Sequence, residues 1–130
     1  MQVTVAQNPP NERSDDKVFV TDNAVIMLDG ASAFLPVPVP AALYAATLGC
    51  HLQHTLRAEP GADLRALLAA GIERTTYDLG PTRGQSPSST VTIVREIAEC
   101  IDVLVLGDNT VVFPDNAVTD ARRRPRPGSG

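Results

Sequence analysis

The chain has 130 residues, 43% of them apolar, with a formal net charge of −4. That is enough for one domain with a real core, and too apolar for a disordered chain. Four of its basic residues, Arg122, Arg123, Arg124 and Arg126, crowd into the last nine positions. The remainder carries 7 basic against 15 acidic residues, a balance of −8. An acidic body excludes nucleic acid as the main partner, because phosphate binding needs a basic surface. No apolar run approaches the roughly 18 residues of a membrane span, and no basic segment leads into an apolar stretch at the N-terminus. The expectation is therefore a cytoplasmic protein with no membrane partner. With three Phe, two Tyr and no Trp, the core must be built from Val, Leu, Ile and Ala. Cys50 and Cys100 lie fifty residues apart in apolar surroundings and are expected as buried free thiols.

In chain order, residues 2–6 form a short β-prone run that breaks at Pro9-Pro10. Two alternating runs follow, 18–21 and 24–28, joined by Asp22-Asn23. Both residue types tolerate positive φ, which predicts a two-residue hairpin turn. "LPVPVP", residues 35–40, is excluded from helix and from a central strand, with Pro40 placed at the start of a helix, where its missing N–H costs nothing. Leu43, Thr47, Leu48, Leu52 and Leu56 then repeat at helical spacing up to the break at Pro60-Gly61. Asp63 is placed to cap a second helix. There Leu64, Leu67, Leu68, Gly71, Ile72, Thr75 and Leu79 share one face, and Gly80-Pro81 ends it. A Gly/Ser/Pro-rich loop leads to three further β-prone runs at 90–94, 101–106 and 110–113, with turns near 96–99 and at Gly107-Asp108-Asn109. Strands, then two helices, then strands predicts an α+β fold with a mostly antiparallel sheet and two amphipathic helices packed on it. Nothing after Pro114 reads as a packed element. The chain is therefore divided into a domain at 1–114 and a disordered Arg/Pro/Gly-rich tail at 115–130.

The residues that could carry chemistry are acidic. Asp15 and Asp16 precede the first strand of the hairpin and Asp29 ends the second, so folding back brings them to one end of the sheet. Asp108 stands at another strand end. Clustered carboxylates repel unless a cation neutralises them, and an all-oxygen set suits Mg²⁺ or Mn²⁺. Gly30 would let a backbone carbonyl approach the same ion. The alternative is that these are turn residues on a solvated edge. His51 and His54 sit at i, i+3 but read as the polar side of a helix, with no carboxylate or cysteine nearby in sequence at ligand spacing. Tyr44 and Tyr77 are expected to pack between helices. "SPSST" lacks the strand–turn–helix context of a nucleophilic serine, and "GPTRG" lacks the Lys of a phosphate loop.

Two blocks carry a family resemblance. "SDDKVFVTDNAVIMLDGAS" has an acidic pair before a strand and a second strand ending in Asp-Gly. "SSTVTIVREIAECIDVLVLGDNTVVF" has a small-residue/Thr strand, a turn, and a strand running into Gly-Asp-Asn. In this order, with two helices between them, they resemble the N-terminal half of the metal-dependent protein phosphatases, the PPM-type or type 2C family, over roughly residues 1–114. The resemblance implies a partial, truncated α-β-β-α sandwich and two-metal hydrolysis of phosphoserine or phosphothreonine esters in a phosphoprotein substrate. It also implies roles. Asp29 would bridge two Mn²⁺ or Mg²⁺ ions, with the Gly30 carbonyl on one. Asp15 would ligate or orient the second ion, Asp16 would support it, and Asp108 would serve a further, weaker site. Where the family commonly has a phosphate-binding Arg this chain has Asn11, leaving Arg13 as the candidate phosphate contact. The family's later metal-binding aspartates have no counterpart, since this chain contains a single Asp-Gly. The implied protein has little or no phosphatase activity alone and a tendency to self-associate. The alternative is a non-catalytic pseudophosphatase or protein-interaction module that binds a protein partner.

Overall fold

The structure, a computed structural model, describes residues 1, 3–4, 16–31, 40–80, 88–107, 111–112, 118–119 and 122–125. The hairpin read from alternation is strand β1, Asp16–Val20, and strand β2, Ala24–Ala31. Asp22 and Asn23 make the turn as expected, but neither takes positive φ. The turn is closed by the Thr21 N–H donating to Ala24 O at 2.9 Å and tied to the next turn: Asn23 Nδ2 donates to Glu96 O at 2.9 Å, and the Glu96 N–H donates to Asn23 O at 2.8 Å.

Both helices form where the periodicity puts them. Helix α1, Ala41–Ala58, starts after Pro40, whose carbonyl accepts from the Tyr44 N–H at 3.1 Å. Helix α2, Leu64–Leu79, is capped by Asp63, whose carboxylate accepts from the Ala66 N–H at 3.0 Å. It ends at Gly80, left-handed at φ 61°, ψ 35°. A side-chain acceptor for an orphan N–H and a left-handed glycine at the C-terminus are the terminators these residue types supply.

Strand β3, Ser88–Ile97, and strand β4, Cys100–Leu106, follow. β3 runs three residues past the expected 94, because the turn is compressed into Ala98-Glu99, with Ala98 at φ 51°. Short strands β5, Val111–Val112, and β6, Val118–Thr119, pair with each other. Within the stretch read from sequence as a tail, Arg122–Pro125 runs as β7 antiparallel to β4, from Cys100↔Pro125 to Val103↔Arg122. Pairing there satisfies backbone groups that an open edge would leave exposed. The main sheet is antiparallel, in the order β1-β2-β3-β4-β7. Of the β-prone residues 2–6, only Val3 and Thr4 are described, and neither is in a strand.

Alternation assigns the sheet faces. Ile26, Leu28, Val91, Ile93 and Leu104 point to the helices and form one buried cluster with Leu48, Leu52, Leu56, Leu64, Leu67 and Leu68. Two glycines set the spacing of the layers. A Cβ at Gly49 would fall 2.0 Å from Phe19 Cε2, so the ring of β1 lies directly on α1. A Cβ at Gly71 would fall 2.8 Å from Leu52 Cδ2, which lets α2 close on α1. Leu43, expected on the buried stripe, is 48% exposed; Ala41, Ala45 and Gly49 take its place beside the leucines. Tyr77 is 81% exposed with Arg74 over its ring rather than packed between helices, whereas Tyr44 does pack on the core. Both cysteines are free thiols, but Cys50 is exposed and Cys100 only half-buried.

Composition hid one polar element of the core. Arg95 and Asp102 face each other across β3 and β4, 3% and 7% exposed, with Nη2 to Oδ2 at 2.7 Å. Arg95 Nη1 also donates to the carbonyls of Pro60, at 3.2 Å, and Ala62. One guanidinium thus ties the interhelical loop to the sheet. No helix among the described residues is long and apolar enough to cross a membrane.

Candidate metal centre

The hairpin register decides which acidic residues meet. Asp16 is the first residue of β1 and stands directly opposite Asp29 of β2. Residues directly opposite in an antiparallel pair project on the same face with Cβ atoms about 5 Å apart, and like charges there repel. The consequence is visible at Asp29, which is pushed above the ordinary carboxylate range. Its hydrogen bond with the Asp16 side chain is the largest cause, followed by burial and then by the Asp16 charge. Two negative charges held side by side disfavour ionisation, and that is the cost the raised Asp29 reflects.

The row extends across the sheet. Thr90 of β3 faces Asp29 from the other side, and Ser89 faces Gly30. Gly107, just past β4 with φ 104°, comes against Thr90: a Cβ there would fall 2.5 Å from Thr90 Cγ2. Asp16, Asp29, Thr90 and Gly107 therefore line one end of the sheet on four successive strand positions. Sequence reading noted Ser89-Thr90 and Gly107 only as parts of a block and assigned them no role. The signal was the β-branched, hydroxyl-bearing residue at the matching strand end.

Of the residues expected at the site, Asp16, Asp29 and Gly30 are brought to this end together. Asp15, Arg13 and Asp108 lie outside the described residues. No group of three or more His, Cys, Asp or Glu side chains converges among the described residues. The donor set in view is two carboxylates and the Gly30 backbone at the end of β2. All are hard oxygen donors with surplus negative charge, a chemistry that fits Mn²⁺ or Mg²⁺ and leaves the remaining coordination positions to water. The histidines do not contribute. His51 Nε2 lies 2.8 Å from Asp78 Oδ2, a carboxylate that α2 brings up although none is near in sequence, and Arg74 Nε shares Asp78 at 3.3 Å. One imidazole, one carboxylate and one guanidinium make an interhelical tie.

Comparison with solved structures finds two of the same kind. One is the catalytic domain of the serine/threonine protein phosphatase PstP in complex with two manganese ions. It has a TM-score of 0.53 and 19% identity, over 78% of this chain and 44% of that one. The other is the Mycobacterium tuberculosis serine/threonine phosphatase PstP/Ppp, with a TM-score of 0.53 and 18% identity, over 78% of this chain and 43% of that one. The chain thus spans less than half the length of the phosphatases it matches. No protein-family model and no curated protein matches it. The α+β sheet-and-helix arrangement of this chain is a PPM-type phosphatase-like fold.

Proposed function

We propose that this chain is a divalent-metal-binding module of type 2C phosphatase character, directed at phosphoserine or phosphothreonine esters of a phosphoprotein, with little turnover on its own. The observation that carries the reading is the opposed pair Asp16 and Asp29, beside Gly30, at the end of a sheet shared in fold with a manganese-bound phosphatase. Asp29 and Asp16 would hold Mn²⁺ or Mg²⁺, with Asp15 and Asp108 as further candidate ligands and Arg13 as the candidate phosphate contact. When bound, such ions lower the pKa of a coordinated water and offset charge on phosphoryl oxygens. The residues of this chain orient the carboxylates and keep them on one face. Two-metal hydrolysis depends on holding both ions a few Å apart. A set of two or three carboxylates does this poorly, which is why low turnover is expected.

The test pairs melting with hydrolysis. Millimolar Mn²⁺ should raise the Tm of the wild-type chain and leave Asp29→Asn unmoved. At a concentration 100 times Kd the linkage is worth about 2.7 kcal/mol. Any release of phosphate from a phosphopeptide should require Mn²⁺ and disappear in Asp29→Asn. An unchanged wild-type Tm, or hydrolysis undiminished by the substitution, rejects the reading.

A second reading, an interaction module, is favoured by one observation. Val20 and Met27, on the sheet face away from the helices, are 38% and 50% exposed. Apolar side chains there suit association with a protein partner or a second copy. Sedimentation showing a strict monomer at high concentration would count against self-association.

A further inference from the structure

Helix α2 and strand β4 enclose a hollow that the acidic end of the sheet does not use. A cavity of about 360 Å³ opens between them. Its helical wall is Arg65, Leu68, Ala69 and Ile72, spaced i, i+3, i+4 and i+7, so a single stripe of α2 lines it. Leu104 and Leu106 of β4 stand on the other side. Leu68 and Leu104 are buried, whereas Leu106 is 45% exposed, so the hollow has an apolar floor and an apolar lip. Ala69 keeps it open, because a longer side chain in the middle of the stripe would fill the space.

Volume and lining match a small-molecule site. Such sites run from about 300 to 1,000 Å³, with mostly apolar walls and a few placed polar groups. Here the placed group is Arg65, the charged residue of the wall. It lies in the first turn of α2 and makes no ion pair among the described residues. Arg74, further along the same helix, is by contrast held by Asp78 and lies over the Tyr77 ring. An uncommitted guanidinium beside an apolar cavity selects a ligand with one anionic group and an apolar body. The stripe from Arg65 to Ile72 runs about 10 Å along the helix axis, which suits an alkyl chain. We propose that the α2–β4 cavity binds a free medium-chain fatty acid, its tail along Leu68, Ala69, Ile72 and Leu106 and its carboxylate on Arg65. Burial of the tail supplies the affinity. The charge-assisted contact with the guanidinium fixes which end of the ligand lies where. This site shares no residue with the metal reading and stands without it.

The experiment is titration calorimetry of the full chain with decanoate below its micelle concentration. Decanol serves as the uncharged match, and amide NMR shifts map the site. Wild type should bind one decanoate, with shifts gathered at residues 64–72 and 104–106. Arg65→Gln should weaken decanoate binding about tenfold or more and leave decanol binding unchanged. Ala69→Phe, at an exposed helix position, should fill the cavity and abolish binding of both. If that variant also lowers the Tm, the Arg65→Gln titrations and the shift map decide. A wild-type chain that binds no decanoate overturns the proposal. Shifts centred elsewhere overturn it too, as does equal loss of decanoate and decanol in Arg65→Gln. Binding to phosphatidylglycerol vesicles without binding to monomeric decanoate would assign the surface to a membrane instead. A dimer that Ala69→Phe dissociates would assign it to a second copy, again against the proposal.

Discussion

Asp16 and Asp29 stand face to face across the β1–β2 ladder and share a hydrogen bond between their carboxyls. Placing two acids in register costs the chain stability whenever both are ionised.

That cost has a pH signature. Asp29 is raised in the folded chain, so the folded state holds its proton at a pH where the unfolded chain has released it. The contribution is fully present below about pH 3.9, the ordinary value for an unfolded Asp. It is lost as pH rises through the folded value. Without metal, Asp29→Asn should therefore melt higher than wild type at pH 7, and the advantage should shrink as pH falls toward 3.9. Melting curves collected from pH 3 to 7 check this; parallel curves for the two proteins would contradict it. On the proposed reading the same substitution should both stabilise the metal-free chain and abolish the Mn²⁺ response, an outcome that a merely structural residue would not give.

Arg95 and Asp102 make the opposite case, a charge pair the fold depends on. The pair is almost fully buried, and Arg95 Nε has no hydrogen-bond partner among the described residues. Removing either side chain takes the 2.7 Å charge-assisted hydrogen bond out of a buried site. Arg95→Ala or Asp102→Ala should each cost about 3–5 kcal/mol, read from urea unfolding. Arg95→Met with Asp102→Leu should recover much of that loss. The Arg95 variant should also loosen the interhelical loop, because the Pro60 and Ala62 carbonyls lose their donor. Faster amide exchange at residues 59–63 reports it, and unchanged exchange there would mean the loop is held by other contacts.

Gly49 sets how closely β1 approaches α1. Alanine in a helix interior is favoured over glycine by about 1 kcal/mol. At this position the added methyl meets the Phe19 ring at 2.0–2.7 Å, so the ring must swing away. Gly49→Ala should be net destabilising by about 1–3 kcal/mol. With Phe19→Ala in place, the same change should become stabilising by about 1 kcal/mol. A double-mutant cycle showing no sign change would mean that the ring yields freely.

Much of the architecture was written locally. Alternation located the β1–β2 hairpin, helical spacing located α1 and α2, and Asp63 and Gly80 ended α2 where their side-chain chemistry requires. The placement of Asp29-Gly30 at a strand end followed from the same local pattern. These features depend on residues within a few positions of each other, which is why one sequence sufficed. Exposure was less legible. Leu43 fits the helical periodicity of a buried face yet points to solvent, because Ala41, Ala45 and Gly49 fill that face beside the leucines, and Tyr77 points to solvent with Arg74 over its ring.

What tertiary structure alone decided is pairing between distant positions. β3 and β4 register put Arg95 against Asp102, and the interhelical loop then folded over the guanidinium. Register on both sides of β2 also chose Asp16 and Thr90 as the neighbours of Asp29, and the left-handed backbone at Gly107 closed the row. A strand shifted by one residue would send each of these side chains to the other face, so no count of aspartates could have chosen among them. The sequence by itself determined that carboxylates would reach one end of a sheet. Only the paired strands determined which of them meet.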